Sequence, residues 1–246
     1  MKFIFFVLLC GTPQGVWAKR AELVEDRQIT AFQIYQVKLG LSNVFILKGE
    51  QGALLIEAGS PQEQVNIDLA LLEVGLSLSQ LKAVILTHGH GDHAGTARYY
   101  EDNQIPIYVG AGDRPMVLSG LNDELKPTSL FARVLKPFVD LRFAPLVSPV
   151  LVDRALDFGT QGFPQLEVWP MAGHTDGSLV VVIHRKIAIV GDMLAGGYLN
   201  GLLFRHKPGE HYFQRDRVKN QENLRYLKDA GIKKFLVGHG GPIIYP

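Results

Sequence analysis

Cysteine is almost missing from this chain: Cys10 is the only one in 246 residues. A disulfide within the chain is therefore excluded, whatever the redox state of its compartment. A surplus of either charge is missing too. Lys and Arg total 25 against 24 Asp and Glu, so the basic footprint that grips a nucleic-acid backbone is absent. The longest unbroken apolar run, residues 3–10, is too short to span a bilayer as a helix. No internal repeat is visible.

That run follows Lys2 and precedes Val16-Trp17-Ala18, an approximate small-residue cleavage site. Residues 1–18 thus read as a secretory signal peptide, predicting a periplasmic or secreted mature chain. Removing Lys2 with it brings the bases down to 24, level with the acids, and leaves no cysteine. Residues 19–246 then fit one compact domain with a sizeable core. Its expected partner is a small-molecule substrate, without nucleic acid and without stable insertion in a membrane.

What the chain does have, concentrated in one place, is metal-seeking side chains. Thr87-His88-Gly89-His90-Gly91-Asp92-His93-Ala94-Gly95 sets three imidazoles and a carboxylate within six positions, after the apolar run Ala83-Val84-Ile85-Leu86. In extended chain His88 and His90 project to the same side and can hold one ion. Asp92 and His93 fall where the chain turns toward a helix expected over 95–102, which aims them at a neighbouring position. The intervening glycines let the backbone bend tightly. Imidazole and carboxylate donors suit zinc, with iron or manganese as alternatives. Further ligands must come from elsewhere, and His174, Asp192 and His239 each follow a short apolar run and a glycine. In sheets covered by helices, ligands gather outside the carboxyl ends of strands, so these ends can meet in one crevice. Seven residues then supply two sites.

The string His88-Gly-His90-Gly-Asp92-His93, with Gly173-His174-Thr175, Gly191-Asp192 and Gly238-His239-Gly240, resembles the metallo-β-lactamase superfamily from about Ala31 to the C-terminus. The resemblance implies an α/β fold, a four-layer αβ/βα sandwich with the metals at one sheet edge. It implies His88, His90 and His174 on one zinc, Asp92, His93 and His239 on a second, and Asp192 bridging them. It further implies a hydrolase of an ester, thioester, lactone or amide bond, acting through a hydroxide between two zinc ions that Asp92 orients and whose proton it later relays. No serine or cysteine nucleophile is needed, and Thr175 and Ser178 are expected to fix His174 by hydrogen bonds.

Within the superfamily several activities stay open. The B1 type of β-lactamase uses a cysteine on the second metal, which a mature chain from residue 19 lacks. The B3 type matches in ligands and export but generally has no bridging Asp. Glyoxalase II-like thioesterases match all seven ligands but continue into a helical domain, whereas this sequence stops at Pro246. Other readings are a persulfide dioxygenase with one iron on the first three histidines, and a non-catalytic metal-binding protein. The chain departs from many relatives at Glu57, where they carry an Asp. Tyr198 is a loose positional match for a tyrosine that assists the substrate oxygen in some lactone-cleaving relatives.

The rest of the chain supports these residues. Residues 32–37, 44–47 and 53–56 predict an antiparallel meander, with Asn43 either a crevice hydrogen-bonder or a turn residue. Ser60, Pro61 and Glu63 predict a capping box for a helix that ends at Gly75 and buries Val65, Leu69 and Leu72. A strand is expected over 105–109. The excursion 111–162 is rich in proline and apolar residues, with short helices over 115–118 and 129–138. Leu130, Phe131, Leu135, Phe138 and Phe143 read equally as a lid over the metals, as core, or as a dimer contact. Strands over 179–183 and 187–190 predict a hairpin with His184 facing solvent. Asp216 should cap a helix reaching Ala230, with Val218, Leu224 and Leu227 inward, that delivers strand 235–237. Between Asp192 and that helix, Tyr198, Arg205, His206, His211 and Tyr212 are polar candidates for substrate contact, each as readily a plain loop residue.

Overall fold

Period-two alternation in the first third and solid apolar runs in the second half build two sheets that face each other. The computed structural model describes residues 20–26, 31–139 and 146–246. The signal peptide expected over 1–18, Phe143, and the side chain of Phe138 lie outside the described residues.

The first sheet holds β1 (Ala21–Glu25), β2 (Gln33–Lys38), β3 (Asn43–Lys48), β4 (Ala53–Ile56), β5 (Leu81–Ile85), β6 (Ile107–Gly110) and β7 (Val150–Val152) in sequence order. The pairs from β1 to β4 are antiparallel, as the meander predicts, and those from β4 to β7 are parallel. The second sheet takes β8 (Leu156–Asp157), β9 (Leu166–Pro170), β10 (Leu179–Ile183) and β11 (Ile187–Gly191). After a separate ladder of β12 (Ala195–Tyr198) and β13 (Leu203–Gly209), β14 (Lys234–Val237) and β15 (Ile243–Ile244) complete it, in the order β15-β14-β11-β10-β9-β8. Only β11 and β14 run parallel there, joined through α6 (Arg217–Asp229).

Three apolar layers follow from this alternation. Phe45, Leu47, Leu54, Ile56 and Ile85 of the first sheet meet Leu166, Val168, Val181, Ile189 and Leu236 of the second. On the far side of the first sheet, Ile46, Leu55 and Val84 pack under α1 (Gln64–Glu73) and, beyond the short α2 (Gly91–Ala94), α3 (Ala97–Asp102). Behind the second sheet, Val180, Val182 and Phe235 pack on Leu227 of α6. Helix, sheet, sheet and helix make the expected αβ/βα sandwich. Among the described residues no helix is long and apolar enough to cross a membrane.

Several local expectations change. The capping box is absent: α1 starts at Gln64 with Glu63 as its N-cap and no side-chain cap. The Glu63 carboxylate instead accepts from the Gly40 N–H (3.0 Å) and from Asn66 Nδ2 (2.6 Å). The helix docks through Ile67, Ala70 and Leu71, an i, i+3, i+4 set. Val65 (62% exposed), Leu69 and Leu72 (64%) point outward. The helix expected over 95–102 is present as α3 and starts two residues later, at Ala97; just before it the Gly95 N–H donates to the Gly59 carbonyl (2.7 Å) and the Thr96 hydroxyl to that of Ala58 (2.5 Å). His184 is half-buried, not solvent-facing. It and Arg185 have φ of 51° and 50°, the pair of positive values a tight hairpin turn requires, and its ring lies 6.4 Å from that of Phe32. Asp216 caps α6 through Lys219 N–H (3.0 Å), but Val218 is exposed and Asn220 takes an inward place by donating to the Met193 carbonyl (2.8 Å).

The excursion is more structured than its prolines suggest. It holds α4 (Arg114–Ser119), α5 (Leu130–Val139), and the short strands β7 and β8. Leu135 packs with Leu125, Ala132 and Phe213, whereas Leu130 (78% exposed) and Phe131 (52%) stand out from the surface.

Candidate metal centre

Every one of the seven residues is carried to one place by the end of a strand or the turn just beyond it. β5 delivers His88 and His90, α2 carries Asp92 and His93, and the turns after β9, β11 and β14 deliver His174, Asp192 and His239. Potential ligand atoms of His88, His90 and His174 lie within 4.8 Å of one another, as do those of Asp92, His93 and His239. Between the groups stands Asp192, whose Oδ2 is 3.8 Å from His88 Nε2, 3.9 Å from His174 Nε2 and 3.1 Å from His239 Nε2, and whose Oδ1 is 3.4 Å from His93 Nε2.

The glycines before two of these residues are spacers. A methyl group on Gly238 would overlap the Asp192 carboxylate and the His93 ring, and one on Gly191, at φ 51°, would overlap the Thr87 side chain. The strands can therefore close to this distance only with glycine at both positions.

Most rings are aimed by acceptors behind them. His174 Nδ1 donates to the Phe213 carbonyl (3.0 Å), His239 Nδ1 to that of Leu41 (2.7 Å), and His90 Nε2 to Asp123 Oδ1 (2.8 Å). Carbonyl and carboxylate oxygens only accept, so in each ring the opposite nitrogen is left to face inward. One result is that His90 Nδ1 and His174 Nε2 face each other at 3.2 Å with no N–H assigned between them. His88 Nε2, both nitrogens of His93 and Asp192 Oδ1 are buried without a hydrogen-bond partner. An orphaned buried polar atom costs roughly 1–3 kcal/mol. A cation fits this donor set because it takes the lone pairs of His88 Nε2, His93 Nε2 and Asp192 Oδ1 together, leaving His93 Nδ1 to face the Glu57 carboxylate at 3.4 Å, and imidazole with carboxylate is a zinc, iron or manganese set.

The electrostatics are those of a cage that trades protons for cations. Burial, and then the neighbouring His93, His174 and His90, hold the His88 imidazole well below its ordinary pKa; burial and His90 do the same to His174. For His93 and His239, burial is outweighed by Asp192 and Asp92, and both are raised. Burial of Asp192 is likewise outweighed, by His211, His239 and His93, so its carboxyl is held well below the usual range. The same balance, with His93 and His239 prevailing over burial, lowers Asp92.

Other residues outside the seven serve the cage. Glu57, fully buried at φ 70°, accepts from the Thr87 N–H (3.2 Å) and from its hydroxyl, and its Oε1 is 3.4 Å from His93 Nδ1. The longer side chain therefore does reach the metal loop. Asp113, also fully buried, accepts from the N–H groups of Gly89 (2.9 Å) and Gly177 (2.7 Å) and from the Thr175 hydroxyl (2.7 Å). Burial dominates these bonds and lifts its carboxyl to about 6. Thr175 thus acts on Asp113, Ser178 acts on Thr175, and it is Phe213 that orients His174. Asn122 and Asp123, inside the excursion, hold the Gly91 N–H (3.1 Å) and His90. Asn43 is a crevice hydrogen-bonder: its Nδ2 donates to the carbonyls of Val237 (2.8 Å) and Gly240 (2.9 Å), on either side of His239.

Of the polar candidates after Asp192, only His211 reaches the seven, with Nε2 3.2 Å from Asp192 Oδ2. Tyr198 is 49% exposed, and its ring meets Lys207 instead. Arg205 and His206 bond to the carbonyls of Gly241 and Pro242. Tyr212 accepts from the Leu199 N–H and lies 5.5 Å from the Phe131 ring.

Comparison with known proteins places this arrangement. The model of the metallo-beta-lactamase superfamily matches residues 37–239. Among curated proteins, a probable metallo-hydrolase, YflN of Bacillus subtilis, is 26% identical over 85% of this chain and 84% of its own length. The hydroxyacylglutathione hydrolase GloC of Haemophilus influenzae is 28% identical over 88% of this chain and 90% of its own. That near-complete match removes the expected need for a further helical domain as a ground against thioesterase relatives. Among solved structures, a subclass B3 metallo-beta-lactamase of Bradyrhizobium japonicum superposes with a TM-score of 0.58, at 19% identity, over 84% of this chain and 74% of that one, a likeness of fold. From strand ends to cage to family model, one conclusion follows: the chain belongs to the metallo-beta-lactamase superfamily, as a metallo-hydrolase.

Proposed function

We propose that the chain is an exported dinuclear zinc hydrolase that cleaves an ester, thioester, lactone or amide bond. The observation that carries this reading is the inward convergence of unpartnered donors: His90 Nδ1 facing His174 Nε2 at 3.2 Å, beside the orphaned atoms of His88, His93 and Asp192. His88, His90 and His174 would hold one ion, Asp92, His93 and His239 a second, and Asp192 would touch both. When bound, two such cations supply an acidified water at neutral pH and polarise a carbonyl oxygen.

The remaining work falls to side chains. Asp92 has the most exposed side chain of the seven, at 30%, and its Oδ2 is 3.4 Å from His239 Nε2. Its lowered pKa keeps it ionised, so in this reading it orients the attacking water, accepts its proton and returns that proton to the leaving oxygen, sulfur or nitrogen. Phe131 against Tyr212 presents apolar surface on one flank, which suits the acyl part of a substrate and gives α5 the role of a wall. No step calls for a serine or cysteine nucleophile.

The test is metal analysis of the purified chain followed by turnover of a glutathione thioester, a homoserine lactone and a cephalosporin. The thioester heads the panel because the Haemophilus relative, matched over nine tenths of its length, is named for hydrolysing one. Two zinc ions per chain with hydrolysis of at least one acyl compound is the expected result. One iron per chain with oxygen uptake would replace this reading by a persulfide dioxygenase. Export belongs to the same proposal: the mature protein from a bacterial periplasm should begin at Lys19, and a periplasm-free protein retaining Met1 would refute it.

A further inference from the structure

We propose that His211 is a further metal ligand of this centre, sharing an ion with His174 and Asp192. The inference rests on the reading of the cage as a metal site, and its first observation is a shared acceptor. The Phe213 carbonyl accepts from His174 Nδ1 at 3.0 Å and from His211 Nδ1 at 3.1 Å. A carbonyl oxygen has two lone pairs and no proton, so it can hold both rings in the same tautomer. The Phe213 N–H approaches His211 Nδ1 only to 3.4 Å; the shorter contact selects the Nδ1–H form.

Nε2 is then bare in both rings. In His174 it lies 3.9 Å from Asp192 Oδ2, and in His211 it lies 3.2 Å from the same oxygen. Two nitrogen lone pairs and a carboxylate oxygen cannot satisfy one another; a cation among them satisfies all three. The ligand atoms of His174, Asp192 and His211 indeed lie within 4.8 Å of one another.

The ring is also held in place, unlike a free loop side chain. It stacks on His239 with centroids 5.4 Å apart at 19°, and meets His174 edge-on at 5.0 Å. Its backbone is tied to the excursion: Thr128 N–H donates to the Tyr212 carbonyl (2.9 Å), Thr128 Oγ1 to that of His211 (3.0 Å), and Gln214 N–H to that of Lys126 (3.0 Å). Side-chain entropy lost on binding a metal is therefore largely spent on folding. The seven strand-end residues already form a full set for two ions, so His211 adds an imidazole rather than replacing one. The ion next to it becomes nitrogen-rich, which favours zinc or iron over magnesium or calcium.

The experiment loads the full chain with cobalt(II) and counts hyperfine-shifted, solvent-exchangeable imidazole N–H resonances by proton NMR. Six are expected, from His88, His90, His93, His174, His211 and His239, with one lost in His211→Gln. Chelator competition should show one of two metal equivalents bound about 10- to 100-fold more weakly in that variant. A wild-type chain that takes up two cobalt ions but shows five resonances overturns the proposal, whether or not the variant folds. A wild-type chain that takes up none overturns the metal-centre reading itself, and this inference with it.

Discussion

Asp123 Oδ1 lies 2.8 Å from His90 Nε2, and it reaches there from the part of the excursion that precedes β7. The neighbouring Asn122 Oδ1 holds the Gly91 N–H. A carboxylate behind an imidazole fixes the ring's tautomer and raises its basicity toward a metal on the other side. Asp123→Asn should therefore weaken metal binding about 10- to 100-fold while leaving the circular dichroism of the chain unchanged. Chelator competition measures it, and an unaltered affinity would remove Asp123 from the site.

Asn43 ties the start of β3 to both sides of His239. Its amide serves two carbonyls, one of them buried with Val237, and in Asn43→Ala at least that oxygen loses a partner where water does not reach. The expected loss of stability is about 1–3 kcal/mol, read as a lower urea midpoint at unchanged slope in the metal-free chain.

Gly238→Ala places a methyl group against the Asp192 carboxylate and the His93 ring. One or both must shift, so the variant should lose at least one of the two metal equivalents. Gly209→Ala is the control, because a methyl there makes only ordinary contacts at 3.4 and 3.7 Å. Equal metal content in both variants would contradict the close approach.

Asp113 gives a pH signature of its own. Its carboxyl is raised from 3.8 to about 6 by burial, so between those values the folded chain keeps a proton that the unfolded chain has released. Stability from this group is greatest below about pH 4, falls as pH rises to about 6, and is constant above, a drop of about 3 kcal/mol. Urea titrations of wild type and Asp113→Asn should diverge by that amount across this range. Parallel profiles would mean that the three hydrogen bonds to Asp113 balance its burial.

Much of this was legible in the sequence, for a physical reason. A glycine and a His or Asp after an apolar run mark the end of a strand, and strand ends are where this fold brings side chains together, so His174, Asp192 and His239 could be picked out singly to join the cluster from His88 to His93. Asp113 does carry that mark, following Gly112 just beyond the apolar end of β6; Asp123 and His211 do not. They sit in loops whose composition reads as solvated, and the backbone ladder between Lys126–Thr128 and Tyr212–Gln214, with Gln214 Nε2 donating to the Asp192 carbonyl, puts His211 beside Asp192. Two stripes of α1 have helical spacing: the sheet covers Ile67, Ala70 and Leu71, and Val65, Leu69 and Leu72 repeat the periodicity one face away. A turn is normally wet, which points His184 outward, whereas its positive φ folds the ring back over Phe32.

The two sheets contribute unequally to the cage, with His88, His90, Asp92 and His93 following strands of the first and His174, Asp192 and His239 following strands of the second. Neither half can complete it, so an ion seated there acts as a latch across the seam between them. At a hundredfold excess over its dissociation constant it would add about 2.7 kcal/mol to the docked state. Metal starvation would then loosen the chain at that seam first, exposing the aromatic and branched side chains of Phe45, Ile56 and Val181, and protease resistance would track metal supply as well as sequence.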